Sequence, residues 1–127
     1  MGYQFKKHYT RDEARALLPQ IRQWLARLSE ARKRLEQHDQ RLALMLSGGQ
    51  DAGGDAVNHW VKSLAEIKDI LGQFRKRAIQ IKDLDSGLID FPAILGGKEV
   101  FLCWEQDEED IEFWHDLHSG YAGRERL

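Results

Sequence analysis

Two heptad-like runs of apolar residues, one on each side of a glycine-rich stretch, constrain the fold of this chain most strongly. Each run repeats at seven-residue spacing with a second set three residues later, which is typical of helices packed along a coiled-coil seam. The stretch between them, residues 47–55, holds four glycines. Two helices joined by a short loop pack antiparallel, so we predict a long antiparallel helical hairpin. The first run is Ile21, Trp24, Leu28, Ala31, Leu35, Leu42 and Met45, with His38 as a polar member, and the second is Val57, Trp60, Leu64, Ile67, Leu71, Phe74, Ala78 and Ile81.

The ends of both helices carry recognisable signals. Thr10 and Glu13 have the spacing of a capping box, in which the hydroxyl and the carboxylate each accept a hydrogen bond from a free backbone N–H. The first helix should end near Leu46, where the glycines begin. Asp55 predicts the start of the second helix, and Gly87, which tolerates a left-handed backbone, predicts its end. The helical hairpin then covers about residues 10–86.

The segment after Gly87 predicts a small β-hairpin. LIDFPAI and KEVFLCWE read as strands, and Gly96 and Gly97 supply the positive backbone angles of a tight turn between them. Pro92 donates no ladder hydrogen bond, so its strand must be bulged or lie at an edge.

The C-terminal residues predict a short helix over EEDIEFWHDLH, with Asp107 as its cap and Gly120 as its stop. Aromatic alternation over residues 3–9 is a weaker strand signal at the N-terminus. The predicted fold class is therefore mainly α (α+β), in one domain of residues 1–127. A β-hairpin and a C-terminal cap over about residues 87–127 close the helical hairpin.

Composition narrows the function classes. The net charge is -2, but residues 1–82 carry 16 basic and 9 acidic residues, whereas residues 83–127 carry 3 and 12. This balance argues against a globally basic nucleic-acid binder. Cys103 is the single cysteine and cannot form an internal disulfide, which favours the cytoplasm. No apolar run reaches the ~18 residues of a membrane span.

The apolar stripe is wider than a two-helix seam requires. A bare hairpin buries each seam on one side only, so the additional side chains need a cover. We predict that the C-terminal segment covers part of them and that a second copy completes a four-helix bundle as a homodimer. The additional residues are Leu25, Leu44, Leu46, Ile70 and Ile79.

Four segments resemble a bacterial family known as domain of unknown function 2203. They are TRDEARALLP, IKDLDSGLIDFPA, EVFLCW and FWHDLHSGYAGR. The resemblance implies no activity, because none is known for the family. It does imply which positions belong to the family's motif, and His118 departs from that motif. These positions are Lys82, Asp83, Asp85, Gly87, Asp90, Phe91, Pro92, Cys103, Trp104, Trp114, His115, Gly120 and Arg124.

Metal binding is one chemistry that these residues offer. Glu112 and His115 have the Glu-x-x-His spacing that di-metal bundles use on each of two helices, and a homodimer would supply it twice. His118 lies one helical turn beyond His115, and the carboxylates of Asp83, Asp85 and Asp90 offer oxygen ligands. The simpler interpretation is an exposed acidic helix that carries two histidines. We predict no cofactor, although this pattern leaves a divalent metal open.

A polar small-molecule pocket is the second chemistry. An imidazole between carboxylates and indole rings is suited to acid–base work. The structural alternative is an ion-pair network that pins the C-terminal segment to the helix end. Cys103, flanked by apolar residues in a predicted strand, is expected to be inert. The candidate pocket comprises Lys82, Asp83, Asp85, Asp90, Trp104, Trp114 and Arg124, with His115 among them.

We therefore predict a cytoplasmic, non-enzymatic interaction or scaffold protein that acts as a helical homodimer with an unidentified protein partner. The alternative is a metal- or small-molecule-binding protein, an enzyme included, with a site around His115 at the junction of the second helix and the C-terminal segment. We recognise no catalytic motif, and we expect neither nucleic-acid nor membrane binding. The alternative requires His115 and at least two carboxylates to converge with an open, solvent-reachable position, whereas the scaffold prediction has these groups satisfied by each other and by the backbone.

Overall fold

In the computed structural model, which describes residues 2–49 and 53–127, two helices precede a five-stranded antiparallel sheet. The fold is therefore α+β, and the strands lie in chain order across the sheet. A 3-10 turn at Tyr121–Gly123 precedes the last strand. The helices are α1 (Arg11–Ser47) and α2 (Gly53–Arg75), and the strands are β1 (Gln80–Asp83), β2 (Leu88–Leu95), β3 (Lys98–Glu105), β4 (Phe113–Asp116) and β5 (Glu125–Arg126).

The chain divides into two compact units. One comprises Met1–Arg22 and Gln73–Leu127 and holds the sheet, and the other comprises Gln23–Gly72 and holds most of both helices. Within the described ranges, no helix has both the length and the apolar character needed to cross a membrane.

The predicted capping box starts α1. The Thr10 N–H donates to Glu13 Oε1 at 2.9 Å, and the Glu13 N–H donates to Thr10 Oγ1 at 3.1 Å. Two backbone donors at the helix N-terminus are thus satisfied by local side chains. The predicted end near Leu46 is also close to the observed last residue, Ser47.

The predicted end of the second helix at Gly87 is wrong, because α2 stops at Arg75. The Ile79 N–H donates to the Phe74 carbonyl at 3.1 Å, and the Ala78 N–H donates to the Arg75 carbonyl at 3.0 Å. This is the hydrogen-bond pattern of a Schellman motif, which places Ala78 in the left-handed region at φ 59°. Gly87, at φ 66°, lies instead in the turn between β1 and β2.

The two strands predicted after Gly87 are present as β2 and β3. They pair antiparallel along their whole length, from Leu88 opposite Glu105 to Leu95 opposite Lys98. Gly96 and Gly97 have φ of 57° and 81°, as a two-residue turn of this kind requires.

The predicted C-terminal helix is wrong, because Phe113–Asp116 forms strand β4 against β3. The backbone carbonyls just before β4 accept hydrogen bonds from side chains instead of from the N–H groups of a helix. Arg22 donates to the carbonyls of Gln106 and Glu108, and the Trp104 indole N–H also donates to the Glu108 carbonyl at 2.9 Å. The bonds from Arg22 are long-range and the bond from Trp104 is local, and together they take the place of helical backbone bonds. The alternating side chains of β4 suit a sheet.

The predicted N-terminal strand over residues 3–9 is also wrong, since these residues have no regular secondary structure. The Tyr9 N–H donates to the Pro92 carbonyl at 2.7 Å, beyond the part of β2 that pairs with β1. Pro92 therefore lies at a local sheet edge, and the N–H that it lacks would face the N-terminal segment rather than β3.

One face of the sheet forms the apolar core of its unit. The Tyr9 ring lies edge-on to the Phe91 ring at 5.5 Å, and the Arg22 guanidinium lies over the Trp104 ring at 5.0 Å. Because side chains alternate along a strand, the neighbouring positions project from the opposite face. The buried residues of the core face are Ile89, Phe91, Ala93, Val100, Leu102 and Trp104.

In the helical unit, the predicted seam matches α1 better than α2. Trp24, Leu28 and Ala31 are buried as predicted. In α2, Phe74 is buried as predicted, but the other buried positions are Ala56, Ser63 and Ile70, each one residue before the predicted Val57, Leu64 and Leu71. The small side chains of Ala56 and Ser63 thus lie inside, and larger apolar side chains remain partly exposed.

Candidate functional site

Three buried polar side chains meet on the face of the sheet opposite the apolar core. Asp90 of β2 lies directly opposite Cys103 of β3, and His115 of β4 lies opposite Phe101, two residues from Cys103. Strand alternation therefore places all three on one face. Asp90, Cys103 and His115 are 1 %, 0 % and 2 % exposed, and their potential ligand atoms all lie within 4.8 Å of one another. We call these three residues the buried cluster.

The hydrogen bonds of His115 define what must lie between it and Asp90. Its Nδ1 is 2.6 Å from the Asp116 carbonyl, and its Nε2 is 3.0 Å from Asp90 Oδ2. A carbonyl only accepts, so Nδ1 carries a hydrogen. Nε2 and the carboxylate oxygen are both acceptors unless a proton lies between them. The pair therefore needs either one proton or a metal cation.

Cys103 is held as a neutral thiol. Burial, together with the negative charge of the nearby Asp90 carboxylate, raises its pKa to about 12. Both imidazole nitrogens of His115 are engaged by oxygen atoms, so His115 is not positioned to accept the thiol proton. The three groups lie in the order thiol, carboxylate, imidazole, so the carboxylate lies between the thiol and the imidazole. This order differs from a nucleophile–base–acid triad, so the geometry does not support nucleophilic catalysis by Cys103.

Asp90 retains unused acceptor capacity. Its Oδ1 is buried and has no hydrogen-bond partner among the described residues. A buried carboxylate oxygen without a partner is costly, so Asp90 can accept one further hydrogen bond or act as a ligand through this oxygen. The arrangement therefore has an unpaired position, but it brings one carboxylate to His115 rather than the two that the sequence-based alternative requires, and the site is buried rather than open to solvent.

Aromatic side chains wall the buried cluster on its own face of the sheet. The Phe101 ring lies 5.5 Å from the His115 ring, and Phe113 pairs across the strands with Cys103. The Arg124 guanidinium lies over the Phe113 ring at 3.9 Å and donates to Glu108 at 2.5 Å. Its positive charge lowers the pKa of the Cys103 thiol, against the larger effects of burial and of Asp90.

Only some of the candidate pocket residues border the buried cluster: the Lys82 ammonium lies over the Phe101 ring at 5.2 Å, and Arg124 lies over the Phe113 ring. Asp90 meets His115, but Trp104 and Trp114 project from the opposite face of the sheet. Lys82, Asp83 and Asp85 are exposed. Lys82 donates to Gln80 Oε1 at 2.6 Å, and Asp83 Oδ1 accepts from the Asp85 N–H at 2.9 Å. Arg124 pairs with Glu108 and Glu105, which ties the C-terminal segment to β3 and the loop after it.

The three candidate metal ligands are also separated. Glu112 precedes β4 and lies 3.9 Å from Arg126, and His118 is exposed after the strand. The helical spacing that related them to His115 does not apply, because His115 lies in a strand.

The sequence predicts an inert Cys103, yet it also contains a signal that places Asp90 beside this cysteine. A two-residue turn at Gly96 and Gly97 fixes the register of β2 and β3. Counting back from Leu95 opposite Lys98 places Asp90 opposite Cys103.

Residues 7–127 match the family model described as "Uncharacterized conserved protein (DUF2203)". The chain belongs to the DUF2203 family. All three residues of the buried cluster fall within the matched stretch of this DUF2203 member. A search of curated proteins and a search of solved structures found no match.

Proposed function

We propose that this protein is a non-enzymatic metal-binding protein that holds one divalent transition-metal ion at Asp90, Cys103 and His115. One observation carries the proposal. The Asp116 carbonyl fixes the His115 ring so that Nε2 points at Asp90 Oδ2, beside a buried thiol and an unpartnered carboxylate oxygen. A cation between these groups satisfies all of them.

The ligand types favour zinc or a similar ion. Thiolate sulfur, imidazole nitrogen and carboxylate oxygen are the common protein ligands of Zn²⁺. Two nitrogen or oxygen ligands of a tetrahedral zinc ion are separated by about 3.3 Å, given bonds of about 2.0 Å. The Nε2–Oδ2 separation of 3.0 Å is close to that value. The bond from His115 Nδ1 to a backbone carbonyl is the usual outer-shell partner of a zinc-binding histidine.

Metal binding would replace protons. The proton between His115 and Asp90 leaves, and so does the thiol proton of Cys103, because only the thiolate is a strong ligand. Each of β2, β3 and β4 supplies one ligand, and the ligands are buried. Three protein ligands leave the fourth position of a tetrahedral zinc ion to a water molecule, and we propose that the ion stabilises the sheet because it joins three strands. A thiol ligand also favours a reducing compartment, and we propose a cytoplasmic location.

The test is a thermal and urea unfolding series with and without Zn²⁺, after removal of metal with a chelator. At a free metal concentration a hundred times Kd, bound ion should stabilise the native protein by about 2.7 kcal/mol. Cys103→Ser, Asp90→Asn and His115→Gln should each lose this stabilisation. His118→Gln, which changes an exposed histidine outside the buried cluster, should keep it. Stabilisation that is absent from the native protein, or lost equally in His118→Gln, would contradict the proposal.

A second candidate function, a helical homodimer that serves as an interaction scaffold, is favoured by the surface of α2. Asp39 accepts from the Trp60 indole N–H at 2.6 Å, and Arg34 lies 2.8 Å from Glu66. We propose that these contacts belong to an antiparallel coiled-coil hairpin. Outside its seam, α2 exposes apolar side chains at helical spacing, including Val57 at 40 % and Val61 at 48 %. A second copy is the occupant that we propose for this row.

Light scattering tests the dimer. The native chain should have about twice the mass of 14.8 kDa. Val61→Glu should weaken association at least about tenfold by placing a charge in the apolar row. Lys62→Glu, a change of charge at the neighbouring exposed residue, serves as the control. A monomer at micromolar concentration would refute the homodimer and leave the metal proposal unaffected.

A further inference from the structure

One carboxylate makes three of the hydrogen bonds of the N-terminal segment of residues 3–9, which we call the strap. Others run from the Tyr3 hydroxyl to the Gly97 carbonyl and from Tyr9 to the carbonyls of Pro92 and Arg77. Glu99 of β3 accepts from the Gln4 N–H at 2.7 Å and from the Phe5 N–H at 3.0 Å. It also bonds His8 Nε2 at 2.7 Å. Burial alone would raise the pKa of the Glu99 carboxyl, but the bonds from His8, Phe5 and Gln4 outweigh it and lower that pKa.

The strap covers one wall of the buried cluster. The Phe5 ring packs edge-on against the Phe101 ring at 5.4 Å, and Phe101 lies 5.5 Å from His115. Glu99, Phe101 and Cys103 alternate onto the same face of β3. The chain from Phe5 through Phe101 to His115 therefore leads from solvent to the buried cluster.

The opposite wall is held more firmly. Arg124 pairs with Glu105 and Glu108 and stacks on Phe113 and Tyr121. The Leu127 N–H also donates to the Glu112 carbonyl at 2.9 Å, which extends the sheet. The strap forms no strand pairing, and its backbone bond to the sheet, from the Tyr9 N–H to the Pro92 carbonyl, lies at its end, away from Phe5. Segments with few backbone bonds to the rest of the protein open first in local unfolding.

We infer that the strap is the gate to the buried cluster and that Glu99 is its latch. When the Glu99 bonds break, Phe5 leaves Phe101 and a path to Cys103 opens. The gate would control the rate at which the ion enters and leaves, and this part of the inference rests on the proposed function. The part that concerns access of a reagent to Cys103 does not rest on it.

Labelling of Cys103 tests the gate, because it is the single thiol of the chain. The metal-free full-length protein is treated with a disulfide reagent that releases a coloured thiol, well below its melting temperature. Each Cys103 thiolate attacks the reagent disulfide, forms a mixed disulfide and expels the coloured thiolate. Glu99→Ala removes the latch and should speed labelling by about tenfold or more, since it removes charge-assisted hydrogen bonds. Phe5→Ala, which keeps the latch but removes the lid ring, should also speed labelling.

Lys98→Ala is the matched control, because Lys98 neighbours Glu99 but pairs with Asp116 at 2.6 Å rather than with the strap. Its labelling rate should stay within about twofold of the native rate. Labelling that is unchanged in both strap variants, or accelerated equally in Lys98→Ala, would overturn the gate. When both proteins are loaded with Co²⁺, Glu99→Ala should release the ion to a chelator faster than the native protein by a similar factor, while the Kd for the ion changes little. Fast labelling without any cobalt binding would refute the metal proposal alone, and cobalt binding with unchanged labelling would refute the gate alone.

Discussion

At the scale of single residues, Ala78 occupies a backbone conformation that glycine prefers. It has φ 59° at the left-handed position of the Schellman motif that ends α2. Glycine adopts this conformation without the steric cost of a Cβ. We predict that Ala78→Gly raises the free energy of unfolding by roughly 0.5–1 kcal/mol, measured by urea titration. Ala65→Gly, in the exposed helix interior, should instead lower it by about 1 kcal/mol. Equal effects of the two changes would contradict this explanation.

Asp110 is a second residue with a direct energetic consequence. The hydrogen bonds from Arg15 and from the Ile111 N–H lower its pKa, with help from the charge of Arg11. A carboxyl whose folded pKa is depressed contributes stability above its unfolded pKa, and that stability is lost as pH falls through the folded pKa. We predict that Arg15→Met loses less stability than the native chain on acidification below pH 3.8, the ordinary value for this group. Parallel curves of unfolding free energy against pH would refute this, and Lys33→Gln is the surface-charge control.

At the scale of elements, local signals were sufficient for some boundaries. The capping box at Thr10 and the turn at Gly96–Gly97 each involve residues close in sequence, so both could be predicted. The end of α2 could not be predicted, because an alanine occupies the left-handed position at which a glycine usually marks the end of a helix. The strand β4 was missed because distant groups, such as Arg22, occupy the carbonyls of the preceding loop.

The distinction between local and long-range signals also explains which part of the candidate site could be predicted from the sequence. Asp90 and Cys103 are placed opposite each other by a local turn, so their pairing follows from the sequence once the two strands are recognised. His115 joins them only because β4 pairs with β3, and that pairing depends on tertiary contacts. Sequence spacing suggested His115 with Glu112 and His118, which the sheet geometry separates from the buried cluster.

At the scale of the whole molecule, we assign different roles to the two compact units. The sheet unit holds the buried cluster and its strap, whereas the helical unit presents the apolar row of α2. In our account the metal stabilises the first unit and a second copy covers the second.

The electronic spectrum of the Co²⁺-loaded protein tests the central claim most directly. Cobalt substitutes for zinc, and a thiolate ligand gives a sulfur-to-cobalt charge-transfer band in the near ultraviolet, with visible bands that report the geometry. We predict one equivalent of cobalt, intense visible bands of a tetrahedral site, and loss of the charge-transfer band in Cys103→Ser. A spectrum of hexahydrated cobalt for the native protein, or an unchanged charge-transfer band in Cys103→Ser, would contradict the account.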